Sequence, residues 1–344
     1  MTPPARTGAA AAPDAPSGPA PVTSGGSGSG GDSGGEEVER PGPTVRRGIW
    51  KVRLPEPEAP GGAPGGPPGA EVRRRVDTLA TEEPLEIRLQ VPAPGGAETA
   101  PVPISITMRT PGHDFELAAG FLFSEGIVRR REAIQGLEYC VGPAQAQQYN
   151  TVSVRLRPGS APDIQTLSRH FYTTSSCGVC GKASLDALRP QVPWPSPTPA
   201  AGPRLAPAVL ATLPDRLREA QGLFDRTGGL HACGLFDPGG RLLSVREDVG
   251  RHNAMDKLVG EQLLAGQLPL ATGIVVLSGR ASFELVQKAA MAGAPVLVAV
   301  GAPSSLAASA AEELGITLAG FTRGTSFNVY THPQRVLGPT LPPA

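Results

Sequence analysis

From about residue 205 to 337 the chain alternates between two patterns, and that alternation limits its fold more than any other feature. Short runs rich in Val, Leu and Ile (GIVVLSG, PVLVAVG, TLAGF) are too short for helices and too apolar for strands with one wet face. Between and before them lie APAVLATLPDRLREAQGLF, RHNAMDKLVGEQLLAG, SFELVQKAAMAG and SLAASAAEELG, with apolar residues at helical spacing. LHACGLF and RLLSVRE read as two further strands. Strands apolar on both sides must be covered on both faces. The pattern therefore predicts an α/β domain over 205–337, a sheet with helices packed against it.

Residues 71–165 read differently. EVRRRVDTLA, PLEIRLQV, VPISITMRT and NTVSVRLRP alternate apolar and polar positions between Pro and Gly turns, which predicts strands. TPGHDFELAAGFLFSEGIV puts Phe115, Ala118, Ala119 and Leu122 on one helical face, with Asp114 in the first turn, where the helix dipole favours a carboxylate. A smaller α+β domain is expected there. Upstream, Ala, Pro, Gly and Ser dominate, and such a segment buries too little apolar surface to offset its ordering entropy. We expect a disordered low-complexity tail over 1–70, in which only GIWKVRL (48–54) has strand character. Residues 166–204 hold a polar loop, a short helix after Gly181 and the proline-rich connector WPSPTPAAGP.

Charge and length exclude some classes. Lys+Arg 31 against Asp+Glu 31 argues against a generally basic nucleic-acid binder or a polybasic membrane-surface protein. No apolar run reaches the roughly 18–20 residues of a membrane helix, and the first residues lack the charged and apolar regions of a secretory signal. Cys 4 in a chain of 344 residues makes no disulfide framework, so a cytoplasmic protein with reduced thiols is expected.

The strongest local signal is Ser175-Ser176-Cys177-Gly178-Val179-Cys180-Gly181. Two thiols at this spacing can share a proton, a metal or a disulfide, and the flanking glycines keep the backbone accessible. Three chemistries compete: half of a zinc site, a redox pair, or a sulfur-carrying nucleophile whose second thiol helps release the sulfur. Two inert cysteines in a turn are the alternative, weakened by the Ser/Gly-rich setting. Cys233, among apolar neighbours on a strand, reads as core, and His231 on the same face as a hydrogen-bonded structural group. Cys140 is assigned no role.

Three strand-to-helix turns share one character. Asp248, Arg251, His252 and Asn253 cluster at the first, either binding a ligand or capping a helix. Ser278-Gly279-Arg280-Ala281-Ser282 forms the second, where a guanidinium suits phosphate, and Gly301–Ser305 the third. Neither a P-loop nor a dinucleotide fingerprint is present. Three such turns at one sheet edge point to a phosphate-bearing ligand. After the last strand, Phe321-Thr322-Arg323-Gly324-Thr325-Ser326-Phe327-Asn328 adds another Arg, a Gly and three hydroxyls, or is a solvated loop.

These pieces occur in order with Arg109-Thr110-Pro111-Gly112, Glu116–Leu122 and Gly228–His231, over roughly 70–337. In that order they resemble the formate dehydrogenase accessory sulfurtransferase family, often written FdhD. The resemblance implies a cytoplasmic enzyme that takes persulfide sulfur from a cysteine desulfurase. It would pass that sulfur to the molybdenum of the Mo-bis(molybdopterin guanine dinucleotide) cofactor, with formate dehydrogenase as client. It maps the persulfide to Cys177, with Cys180 assisting, and cofactor binding to Phe321, Thr322, Arg323, Gly324, Thr325 and Ser326. It further implies a three-layer α/β/α sandwich similar to the cytidine deaminase fold, and a homodimer. The chain lacks the HxE…PCxxC set of true deaminases, so neither deamination nor a metal site is carried over. A different class remains open: a non-catalytic chaperone that binds and delivers the cofactor.

Overall fold

In a computed structural model, the residues described are 40–54, 70–93, 97, 99–140, 149–160, 192–195 and 202–337. Their strands are β1 (Thr44–Arg53), β2 (Glu71–Ala80), β3 (Glu83–Gln90), β4 (Val102–Arg109), β5 (Ile134–Tyr139), β6 (Thr151–Leu156), β7 (His231–Phe236), β8 (Leu242–Asp248), β9 (Ile274–Leu277), β10 (Val296–Ala299), β11 (Thr317–Arg323) and β12 (Ser326–Val329). Their helices are α1 (Asp114–Ser124), α2 (Pro207–Glu219), α3 (Gly222–Thr227), α4 (Arg251–Leu264), α5 (Phe283–Met291), α6 (Ser305–Glu313) and α7 (Gln334–Leu337).

The expected α/β sheet has the order β12-β11-β10-β9-β7-β8, with β9, β10 and β11 parallel and β7 running against β9. Every residue of β9 and β10 is buried, and their alternation sends side chains to two different cores. Ile274, Val276, Val296 and Val298 meet Leu210, Leu213 and Leu217 of α2. Val275, Leu277, Leu297 and Ala299 join Met255 and Val259 of α4, Leu285 of α5 and Ala307 of α6. Helices thus cover both faces. The single helix expected over 206–224 is two, because the Glu247 carboxylate accepts the amides of Leu223 and Phe224 at 2.9 and 2.8 Å and starts α3 afresh.

A second sheet, β4-β3-β6-β5, packs Leu85, Ile87, Leu89, Val152 and Val154 into the same core as α4, α5 and α6. Helix α1 lies in that layer too, crossing α4 at two glycines. A Cβ on Gly120 would stand 1.8 Å from the Asp256 carbonyl oxygen, and one on Gly260 1.8 Å from that of Glu116. Only glycine admits so close a backbone approach. Asp114, expected to serve the helix dipole, also takes the buried Arg109 guanidinium at 3.0 and 3.1 Å and the Tyr139 hydroxyl at 2.9 Å.

The strand character of 48–54 extends further than expected. β1 pairs with β2 in a separate antiparallel ribbon, from Thr44↔Ala80 to Arg53↔Glu71, so ordered structure begins well inside the expected tail. Trp50, Val52, Val72 and Val76 are exposed on it. Residues 1–39 and 55–69 lie outside the described residues. Among the described residues no helix is long and apolar enough to cross a membrane.

Candidate functional site

The strand directions bring the three turns together. The carboxyl ends of β8, β9, β10 and β11 and the start of β7 share one edge of the six-stranded sheet. Along it, in spatial order, stand Asp248–Asn253, His231, Ser278–Arg280, Gly301–Ser304 and Phe321–Arg323. At about 4.8 Å per strand, this row spans roughly 19 Å. Ligands of α/β sheets bind at such carboxyl edges.

Hydrogen bonds stitch the turns to one another. Ser278 Oγ accepts the Ala232 amide at 2.8 Å, Gly301 N–H donates to the Gly279 carbonyl at 2.9 Å, and Phe321 N–H to the Gly301 carbonyl at 3.0 Å. Small residues let the turns close up. A Cβ on Gly301 would stand 3.0 Å from Arg280 Cγ, and one on Gly279 3.3 Å from His231 Nδ1. The Arg280 stem therefore lies across the β10 turn, and the His231 ring sits against the β9 turn.

Below the row, a buried clamp fixes the first turn. Asp248 is fully buried; one carboxylate oxygen pairs with Lys257 Nζ at 2.7 Å and accepts the Thr110 amide at 3.1 Å. The other accepts Gly250 N–H at 2.8 Å and Asn253 Nδ2 at 3.0 Å. Asn253 also donates to the Met108 carbonyl, and Thr110 receives Val249 N–H and Lys257 Nζ. Asp248 and Asn253 are thus spent inside the protein, where they hold the turn rather than face a ligand.

Arg251, His252 and Arg280 remain accessible. Burial and the Arg251 and Lys288 charges lower the His252 pKa to about 4, and His252 Nε2 lies 3.3 Å from Ser282 Oγ. Burial and Arg251 also lower that of His231, against the opposing pull of Asp248. The edge therefore combines cationic guanidiniums with neutral imidazoles at neutral pH.

At the far end the expected C-terminal loop is a strand end and a hairpin. β11 reaches Arg323, Gly324 supplies the positive φ of 57° that the tight loop needs, and Arg323 pairs with Ser326 of β12. Phe321 has φ 51°, rare for an aromatic residue, and its ring is 47% exposed. Thr322 is buried, and its hydroxyl has no hydrogen-bond partner among the described residues. Arg323, Gly324, Thr325 and Ser326 are exposed.

Cys177, Cys180 and the expected helix after Gly181 lie outside the described residues. Cys233 is core as expected, its Sγ 3.3 Å from Met255 Sδ, and Cys140 is half-buried. Among the described residues no group of three or more His, Cys, Asp or Glu is placed to hold a metal. The sequence reading placed Ser282 in the second turn, but it gave no role to Lys257 of the clamp or to Glu284 beside His252, and it did not foresee that Thr110 joins the clamp. A lysine at an apolar helix position, i+6 from Arg251, was the available signal for the clamp.

Residues 80–337 match the family model described as the FdhD/NarQ family. The chain belongs to the FdhD/NarQ family. Within it, the chain is 56% identical over 269 residues to the sulfur carrier protein FdhD of Streptomyces avermitilis, covering 77% of this chain and 91% of that protein. It is 50% identical over 272 residues to the protein of the same name from Mycobacterium tuberculosis, covering 77% and 94%. It is also similar to the crystal structure of a protein assigned as a formate dehydrogenase accessory protein from Desulfotalea psychrophila. That likeness has a TM-score of 0.59 and 26% identity, over 86% of this chain and 99% of the other. The FdhD/NarQ match begins at Ala80, the last residue of β2, and so includes the whole edge.

Proposed function

We propose that the protein is a cytoplasmic sulfurtransferase that carries sulfur as a persulfide on Cys177 and delivers it to the molybdenum bis(guanine dinucleotide) cofactor for formate dehydrogenase. The observation that carries the reading is the FdhD/NarQ match, which spans Ser176–Gly181 and is accompanied by high identity to proteins named sulfur carriers. In the first step the Cys177 thiolate attacks the outer sulfur of a desulfurase persulfide. A new S–S bond forms on Cys177 and the desulfurase cysteine leaves as a thiolate. Cys180 assists the later release.

The edge suits the cargo. Arg251, Arg280 and Arg323 offer guanidiniums to phosphates without making the protein globally basic, and Phe321 offers an exposed ring to a planar heterocycle. The unpartnered Thr322 hydroxyl gives the same end a group awaiting a partner. A likeness of the six-stranded layer to the cytidine deaminase fold, and a homodimer, belong to this proposal.

Mass spectrometry after incubation with a cysteine desulfurase and cysteine tests it. A gain of about 32 Da on the peptide containing Cys177, absent in Cys177→Ala, supports transfer, the thiolate being the acceptor. Retained formate dehydrogenase maturation in Cys177→Ala rejects the persulfide role and leaves a chaperone that delivers cofactor only.

A further inference from the structure

Next to the Arg-bearing part of the edge stands an acid that the reading above leaves without a role. Glu284 lies in the first turn of α5, its side chain 59% exposed, with Oε2 3.9 Å from His252 Nε2. Partial burial would raise its pKa, but the Ser282 hydroxyl and the His252 and Arg251 neighbours together lower it, so the group is a carboxylate. Ser282 Oγ, 3.3 Å from the same imidazole nitrogen, links acid and imidazole.

A carboxylate repels phosphate, so Glu284 itself does not meet the anionic part of a ligand, which falls to the neighbouring guanidiniums. The carboxylate takes a pair of adjacent N–H donors instead. Guanine presents such a pair, N1–H beside its 2-amino group, and the pterin ring presents the same 2-amino-4-oxo edge. Adenine offers an acceptor where guanine has N1–H, and xanthine replaces the 2-amino group with a carbonyl. Neutral His252 alongside supplies one more donor or acceptor without adding charge.

We propose that Glu284 is the specificity-determining residue of the edge, accepting the N–H pair of a 2-amino-4-oxo heterocycle, while Arg251 and Arg280 hold phosphate. The inference rests on the reading that the edge binds the guanine-dinucleotide cargo.

Calorimetric titration of the full chain with GDP, ADP, xanthosine diphosphate and free pterin tests it, using Glu284→Gln and Arg280→Gln. Charged hydrogen bonds are each worth about 1.5–3 kcal/mol, so Glu284→Gln is expected to weaken GDP roughly ten- to a hundredfold. The same variant should strengthen xanthosine diphosphate, because the new amide donates to its 2-carbonyl. Arg280→Gln should weaken GDP and ADP alike. A Glu284-dependent pterin signal with no GDP signal assigns the same chemistry to the pterin end of the cargo. Wild-type protein that binds GDP while Glu284→Gln leaves all four affinities unchanged overturns the role of Glu284 alone. Wild-type protein that binds none of the four overturns both this inference and the reading beneath it.

Discussion

Gly120→Ala provides the sharpest test of how the helical layer is built. The added methyl would stand 1.8 Å from the Asp256 oxygen and 2.7 Å from both the Asp256 carbonyl carbon and the Gly260 nitrogen. An unstrained carbon–oxygen contact needs roughly 3.3 Å, so α1 and α4 must part by about 1.5 Å. The obstacle is backbone, so no rotamer change relieves it. Parting the helices also loosens Leu117, Met255 and Val259, all buried at that layer. Overpacking of this kind costs about 1–3 kcal/mol, and the loosened contacts add to it, while the better helix propensity of Ala returns about 1. We expect a net loss of roughly 3 kcal/mol, or a midpoint of thermal unfolding lower by about 6–12 °C. Urea denaturation of the full chain measures it. Gly136→Ala, which meets nothing within 4 Å, is the control and should shift stability little. Gly120→Ala and Gly260→Ala press on one crossing, so the double variant should lose less than the two single losses combined. A Gly120→Ala protein within about 0.5 kcal/mol of the parent would refute the crossing.

Two further outcomes follow from the site. Asp248→Asn leaves the fully buried Lys257 ammonium without its counter-charge, and urea denaturation should show a loss of about 3 kcal/mol, partly recovered in Asp248→Asn/Lys257→Met. The folded pKa of His252, about 4, lies below its ordinary 6.5, so the unfolded chain takes up a proton first as pH falls. The imidazole's contribution is therefore fully present above about pH 6.5 and drains away toward pH 4. Urea midpoints at several pH values should fall across that window, and His252→Gln should flatten the fall; an unchanged slope contradicts a neutral His252.

Much of this architecture was legible from short-range pattern. The unbroken apolar runs at 274–277 and 296–299 state that both faces are covered, and they are buried throughout. Small residues and an Arg after GIVVL marked the second turn of the edge, because turn chemistry is local. What was hidden depends on partners far away in sequence. The TVRRGIWKVR run becomes a strand only by pairing with EVRRRVDTLA across a Pro/Gly-rich stretch. Nothing local in the sequence marks Gly120 and Gly260 as partners, because each matters only once the other helix lies opposite it. β5, with the polar and glycine-bearing sequence IQGLEY, carries little strand signal of its own. Asp248 read equally as a ligand contact or a helix cap, because nothing in the sequence says that Thr110 and Lys257 will absorb its oxygens. The left-handed backbone of Phe321 was equally invisible, since no residue preference announces it.

The glycine crossing has a consequence for how such a chain can change. Ser124 reaches Asp256 at 2.9 Å, Lys288 reaches Asp256 at 2.9 Å and Glu125 at 3.5 Å, and Arg246 holds Glu116 at 3.0 Å. All but one of these contacts join the first half of the sequence to the second. A fragment ending near residue 160 would leave Leu117 and Leu122 in water, and the complementary fragment would do the same for Met255 and Val259. Neither half can be exported to another protein or replaced by recombination unless its counterpart travels with it. The two stretches are inherited as a matched set, and drift on one side is tolerated only as far as the other side already permits.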